Sequence, residues 1–393
     1  MIQPGTDSAR LVHAQPQLLD PAAETLMTRP PGLRAIGGGL LDRAGLLDRL
    51  FWLRARLGFR ELAVLTYHRV ARPLAPGEQR LAACGVGELD PGLVEVEPAD
   101  LAAQLEVLRA SCTVVSIADV RRFSRGRKLP PNAVLVTFDD GYVEDHDIAL
   151  PILRRAGVPA TFFIPTGFPD AGRLFWWDRV WLTMRRCRLD LVVLDYPQRL
   201  TLHPASAPED AARLVCQAIK RTPGIDLSRL WEELEQRTGV ALGAVEERAL
   251  AARTIMGWRQ VRALREAGMD VQSHSHDHLV LNTLTPDEAH RDLERSAHVL
   301  REAVGGEVFG VAYPVGYAIS GALRRAPEEA SFELGFTNGT GLCAPRGFDP
   351  LNVPRLSMDL DIVLADYKLR LLFGSAQRAL GATPPPPSGR RSA

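Results

Sequence analysis

The chain has 393 residues, 46% of them hydrophobic, and its 47 basic residues cancel its 47 acidic ones. That length and composition suit a large α/β domain with additions, or two domains, and the charge balance argues against nucleic acid as a partner. Five scattered cysteines, none in a CxxC pair, argue against a disulfide framework and against a cysteine-based zinc site.

Residues 1–58 read as an N-terminal arm. It begins polar and Pro-rich without the basic and apolar regions of a signal peptide, and no run of about 18 apolar residues follows anywhere, so the expected location is cytoplasmic. The arm then becomes "LLDRAGLLDRLFWLRARLGF", where Leu40, Ala44, Leu47 and Phe51, with Leu46, Leu50, Leu53 and Leu57, recur at helical spacing beside Arg43, Arg49, Arg54 and Arg56. An amphipathic helix with a basic face is predicted. It either packs on the main domain or makes peripheral contact with an anionic membrane.

The main domain is placed at 59–375. Strand patterns ("LAVLTYHRV", "CTVVSI", "VLVTFDD", "PATFFIPT") alternate with helical ones ("PADLAAQLEVLRAS", "DIALPILRRAG"), which predicts a parallel sheet or barrel. Residues 168–253 differ in texture, with "FWWDRVW", a hairpin near "LDLVVLDYPQRLTL" and charged helices, and read as a largely helical insertion. The pattern resumes with "GWRQVRALREAG", "MDVQSHSHDH", a long helix from Thr285, and the strands "VFGVAYPVG" and "LGFTNG". The tail 376–393, Pro-rich and poor in apolar residues, is expected to be disordered.

Within this pattern, "VLVTFDDGY" ends a buried strand in two adjacent carboxylates, Asp139 and Asp140. They suit either a turn with a helix cap or a site where a cation compensates their repulsion. In "SHSHDHL", His274 and His278 stand four apart, so a helical turn after the strand points both imidazoles one way and His276 elsewhere. With Asp140 they make three ligands and leave an open position, the donor set of a catalytic zinc-type site. Asp139 is then free to act as general base.

"TFDDG", "SHSHDH" and "AYPVG", with a "W..V..L...G" helix leading into the histidines, resemble the polysaccharide deacetylase family, also called NodB-homology or carbohydrate esterase 4. The resemblance implies a distorted (β/α)7-type barrel and metal-dependent removal of acetyl from N-acetylated sugars. It implies Asp139 as base and Asp140, His274 and His278 as ligands of a divalent metal, usually zinc. The family's third motif is commonly Arg-x-Pro-Tyr, whereas this chain has Ala312, Tyr313, Pro314 and Val315. The Arg that orients the base is therefore missing. Arg355 either replaces it or is a surface or structural residue, and the Val315 N–H keeps the oxyanion role because a backbone donor needs no particular side chain. "LTYHRV" resembles the opening strand of the permuted branch that acts on poly-N-acetylglucosamine, in which His68 would protonate the leaving amine. Trp176, Trp177 and Trp181 are candidates for a sugar platform or for core packing, and Tyr313, Pro314 and Arg355 are candidate substrate contacts.

The expected partners are an acetylated glycan and, at the N-terminal helix, a membrane or a polymer-synthesising complex. Two other functions compete: a hydrolase on the same barrel acting on a lipid- or nucleotide-linked sugar or a small amide, and an inactive carbohydrate-binding protein.

Overall fold

The computed structural model describes residues 39–72, 87, 89–339, 341–358, 360 and 362–374. The start of the expected arm, the tail 376–393 and Cys84 lie outside them. The helix expected over residues 40–59 is interrupted at Gly45, which takes a left-handed conformation (φ 67°) and begins α1, Leu46–Arg56. Only glycine adopts that conformation at little cost.

The strands follow from apolar runs. β1 (Leu62–Tyr67) and β5 (Ala133–Phe138) are buried along their whole length, as central parallel strands covered on both faces must be. Between them come β2 (Arg69–Val70), β3 (Val94–Val96), α2 (Pro98–Ser111), β4 (Thr113–Val114) and α3 (Ile117–Ser124). A π-helical turn, Asp145–Ala149, then leads into α4 (Leu150–Ala156), so this helical stretch begins earlier than the sequence pattern placed it, and β6 (Thr161–Ile164) follows.

The segment between β6 and the next barrel strand holds α5 (Trp176–Arg186), the antiparallel hairpin of β7 (Val192–Leu194) and β8 (Leu200–Leu202), α6 (Pro208–Arg221), α7 (Leu227–Thr238), α8 (Ala244–Thr254) and α9 (Trp258–Glu266). Phe175, Trp177, Val180, Val215, Leu230 and Leu234 pack there in an apolar cluster separate from the main core. β9 (Asp270–Ser273), α10 (Pro286–Val304), β10 (Gly310–Ala312), α11 (Arg325–Glu329), β11 (Leu334–Thr337), β12 (Val353–Pro354), β13 (Leu356–Ser357) and α12 (Leu364–Phe373) complete the order. Thr285 caps α10 as its sequence predicts, its hydroxyl accepting the Glu288 N–H while the Glu288 carboxylate accepts the Thr285 N–H.

The main sheet is parallel and runs β12-β11-β10-β9-β6-β5-β1-β13, with β4 added beside β5. Because β12 pairs with β11 while β13 pairs with β1, residues 353–357 form the seventh main strand and nearly close the ring. Arg355 is the single residue between the two pairings. The architecture is the expected distorted (β/α) barrel. Among the described residues no helix is long and apolar enough to cross a membrane.

Candidate active site

Register places the chemistry. β1 and β5 pair residue for residue up to Tyr67 opposite Phe138, so the next residues, His68 and Asp139, emerge side by side. β6 and β9 pair at Ile164 and Ser273, and β9 and β10 at Ser273 and Val311, so His274 follows at the same level beside Ala312. All leave the C-terminal ends of parallel strands, where barrel enzymes keep their sites.

The histidine segment corrects one expectation. His274 and His278 do not sit on a helical turn; Ser275 and His278 both have positive φ (64° and 52°), and side chains hold the loop. The Ser273 hydroxyl accepts the Ser275 N–H, the Ser275 hydroxyl accepts the His278 N–H, and Asp292 on α10 accepts the N–H groups of His276 and Asp277. The result still brings both imidazoles together. His276 points elsewhere, to the Thr166 hydroxyl at 2.9 Å.

Asp140 Oδ1 lies 3.2 Å from His274 Nε2 and 3.1 Å from His278 Nε2, and the two nitrogens are 3.2 Å apart. His274 Nδ1 is 2.8 Å from the Ala312 carbonyl, to which it must donate, so Nε2 is the nitrogen turned to the site. His278 Nδ1 is buried without a hydrogen-bond partner. Although burial alone would raise the Asp140 carboxyl, hydrogen bonds from the two histidines hold it well below the ordinary range. Three buried donor atoms thus converge, and their chemistry fits a divalent cation. Asp140 itself has φ 72°, as does Gly141, a strain of the kind found at functional sites.

Asp139 faces the same point, with Oδ2 3.9 Å from His274 Nε2 and 4.0 Å from His68 Nε2. Arg355 Nη1 donates to its Oδ1 (2.8 Å) and Nη2 to its Oδ2 (2.6 Å), while Nη2 also donates to Asn338 Oδ1 (2.8 Å). Arg355 is fully buried against Asp139 and does not line the cleft, so it is neither a surface residue nor placed to touch a substrate there. Burial pushes the Asp139 carboxyl up; Arg355 and His274 outweigh it and bring it below the usual value.

His68 is held from the other side. Glu95 on β3 accepts its backbone N–H (2.8 Å) and lies 2.9 Å from its Nδ1. Burial opposes the imidazolium, but Glu95 prevails and raises the His68 pKa to about 10. Nε2 is left to face Asp139. Sequence reasoning missed both Glu95 and Asn338; a carboxylate in the short run "VEVEP" and the "TNG" after the last predicted strand are weak signals, because neither has a spacing relative to its partner.

These groups line a cleft of about 630 Å³. Tyr313 and Val315 line it too, whereas Pro314 does not, and the Tyr313 hydroxyl is spent on the Leu351 carbonyl. Val315 takes φ 64°. Trp176, Trp177 and Trp181 are buried, each about 5% exposed, and also line this cleft. The Trp177 ring is 4.5 Å from that of His278, and Trp176 Nε1 donates to the His278 carbonyl. Further along, α6 contributes Arg213, Gln217 and Lys220.

A family model described as Polysaccharide deacetylase matches residues 126–190 and 235–334, segments that contain Asp139, Asp140, His274 and His278. The barrel is a polysaccharide deacetylase domain. The deacetylase fold is shared with the Streptococcus pyogenes deacetylase PplD in complex with acetate, at 16% identity and a TM-score of 0.50, over 79% of this chain and 98% of that one. IcaB from Ammonifex degensii (18% identity, TM-score 0.46, 79% and 98% coverage) and the BpsB deacetylase domain from Bordetella bronchiseptica (17%, 0.45, 77% and 98%) are also similar. No curated protein sequence matched this chain. The deacetylase is thus a hydrolase of the polysaccharide deacetylase type. His68, Glu95 and Arg355 lie outside the matched segments.

Proposed function

We propose that this chain is a metal-dependent carbohydrate N-deacetylase, hydrolysing the acetamide of N-acetylated sugars in a polysaccharide of the poly-N-acetylglucosamine kind. The observation that carries this reading is the placement of an oriented carboxylate, Asp139, and a carboxylate-backed imidazole, His68, facing each other beside the Asp140–His274–His278 donor set in one cleft.

Those three residues would hold the cation, most simply zinc given two imidazoles and one carboxylate. When bound, it would supply the Lewis acidity that polarises the amide carbonyl and acidifies water. Asp139 Oδ2 takes the proton of the attacking water, with the Arg355 fork fixing the carboxylate in place. The Val315 N–H donates to the oxygen that gains negative charge. His68 Nε2–H protonates the departing nitrogen as the acyl C–N bond breaks, since its Nδ1 is engaged by Glu95. One water and one amide give acetate and a free amine. The tryptophan wall, Trp176 and Trp177 foremost, offers a face for a sugar ring.

A second reading, action on a sugar joined to lipid or nucleotide through phosphate, is favoured by Arg213 and Lys220 in the cleft lining, Lys220 Nζ lying 6.0 Å from the Trp176 ring centroid. Acetate release is the test. Protein purified without chelator is expected to release acetate from N-acetylglucosamine oligomers, Asp139→Asn to lose release but keep metal, and His274→Ala to lose both. Bound metal with no release from oligomers, but release from a nucleotide-linked N-acetyl sugar, would transfer the assignment to the second reading. A metal-free native protein would end both.

A further inference from the structure

Seven of the fifteen exposed large apolar side chains among the described residues lie between Leu40 and Phe59. Along α1 and its C-cap they follow a rule. Leu47 and Phe51 turn inward and are buried and Leu50 packs partly against the same core, whereas Leu46, Leu53 and Leu57, at i, i+7 and i+11, form a second stripe on another side, with Leu57 65% exposed. Trp52 and Phe59 are exposed as well, Trp52 to 59% and on the arginine side of the helix, with the Arg56 guanidinium over its ring. A helix that needs one apolar face to pack here has two, and concentrated exposed apolar surface of this sort marks an interaction site.

The charge around the stripe is one-sided. Asp42 and Asp48 both bind Lys368 Nζ, at 2.7 and 2.8 Å, and Glu61 binds Arg54 at 2.8 Å. The exposed Arg43, Arg49 and Arg56 have no carboxylate within 4 Å among the described residues, so the surface beside the leucines is cationic. The chain's own residues 375–393 are a poor cover for it, as they carry Arg378, Arg390 and Arg391 and no acidic side chain.

We propose that this outward face of α1 docks onto a bilayer surface containing anionic lipid, the leucines entering the interface while the arginines beside them meet the headgroups. The position of α1 fixes how the cleft would face. Phe51 O accepts from Asn132, and Arg60 donates to the Leu129 carbonyl, contacts at the N-terminal ends of the strands, whereas His68 and Asp139 emerge at the C-terminal ends of β1 and β5. Six-residue strands separate the two levels by roughly 20 Å. Docking through α1 therefore turns the cleft away from the bilayer, toward a glycan chain in the aqueous phase. It places the enzyme at a membrane without placing its chemistry there.

The test is co-sedimentation of the full chain with vesicles of mixed phosphatidylglycerol and phosphatidylcholine, and with phosphatidylcholine alone. The protein is expected to pellet with the first and far less with the second. Arg49→Gln with Arg56→Gln should weaken partition by about tenfold or more, and Leu53→Glu with Leu57→Glu should abolish it, all with an unchanged thermal melt because these side chains are exposed. Absence of pelleting with anionic vesicles, or pelleting undiminished by the leucine changes, would overturn the proposal. So would a dimer in light scattering that the same leucine changes dissolve, which would make a second copy the occupant.

Discussion

Arg355 grips Asp139 through both carboxylate oxygens from 216 residues further along the chain. It does so from the one residue at which the strand 353–357 passes from pairing with β11 to pairing with β1. Closure of the barrel and orientation of the base are therefore one event. Arg355→Ala leaves a buried, unpaired carboxylate and is expected to cost about 3–5 kcal/mol, read as a fall in denaturant midpoint. Arg355→Lys keeps the charge but loses the fork. For that variant a folded protein with kcat reduced by about 10–100-fold and KM little changed is expected; unchanged kcat would remove Arg355 from the machinery.

His68 supplies the sign of a pH effect. Its pKa in the fold is raised to about 10, chiefly because Glu95 outweighs burial. The His68–Glu95 pair thus adds stability that is full below about 6.5, the unfolded value, and is lost as pH rises from there through 10. Glu95→Gln should lower the pKa of the imidazole, measured by NMR titration of chelator-treated protein. An acid must hold its proton to donate it, so the variant's activity should begin to fall at lower pH than the wild type's. A His68 titration indifferent to Glu95 would contradict this.

Cation binding should stabilise the fold by mass action, by about 2.7 kcal/mol at a hundredfold excess over Kd. A thermal melt of chelator-treated protein should rise on adding zinc, and the rise should vanish in Asp140→Asn and His278→Ala. A shift surviving both changes would place the ion elsewhere.

Gly316 tests the support of Arg355 at a distance. It has φ 75°, and a Cβ there would overlap Asn338, whose side chain accepts from Arg355. Gly316→Ala is expected to destabilise by about 1–3 kcal/mol and to lower kcat as well, because Asn338 must move. Full activity with normal stability would show that Asn338 is not needed to hold Arg355.

The residues of the donor set were legible in the sequence because they stand at or within a few residues of strand ends, and a strand end names a layer even before its neighbours are known. Asp139, Asp140, His274 and His278 could be assembled from two short motifs on that basis. The local conformation was not legible: the histidine loop owes its shape to Ser273, Ser275 and Asp292 rather than to helical periodicity. The pairing of Asp139 with Arg355 stayed open between two readings, and those of His68 with Glu95 and of Arg355 with Asn338 were not legible, since side chains tens to hundreds of residues apart meet only through strand register. The same holds for α1, whose periodicity revealed apolar residues without saying which would be buried. Sequence determined which chemical groups stand at the strand ends, because that depends on local hydrophobic pattern and turn residues; only the closed barrel decided which of them touch, because that depends on the order in which distant strands pair.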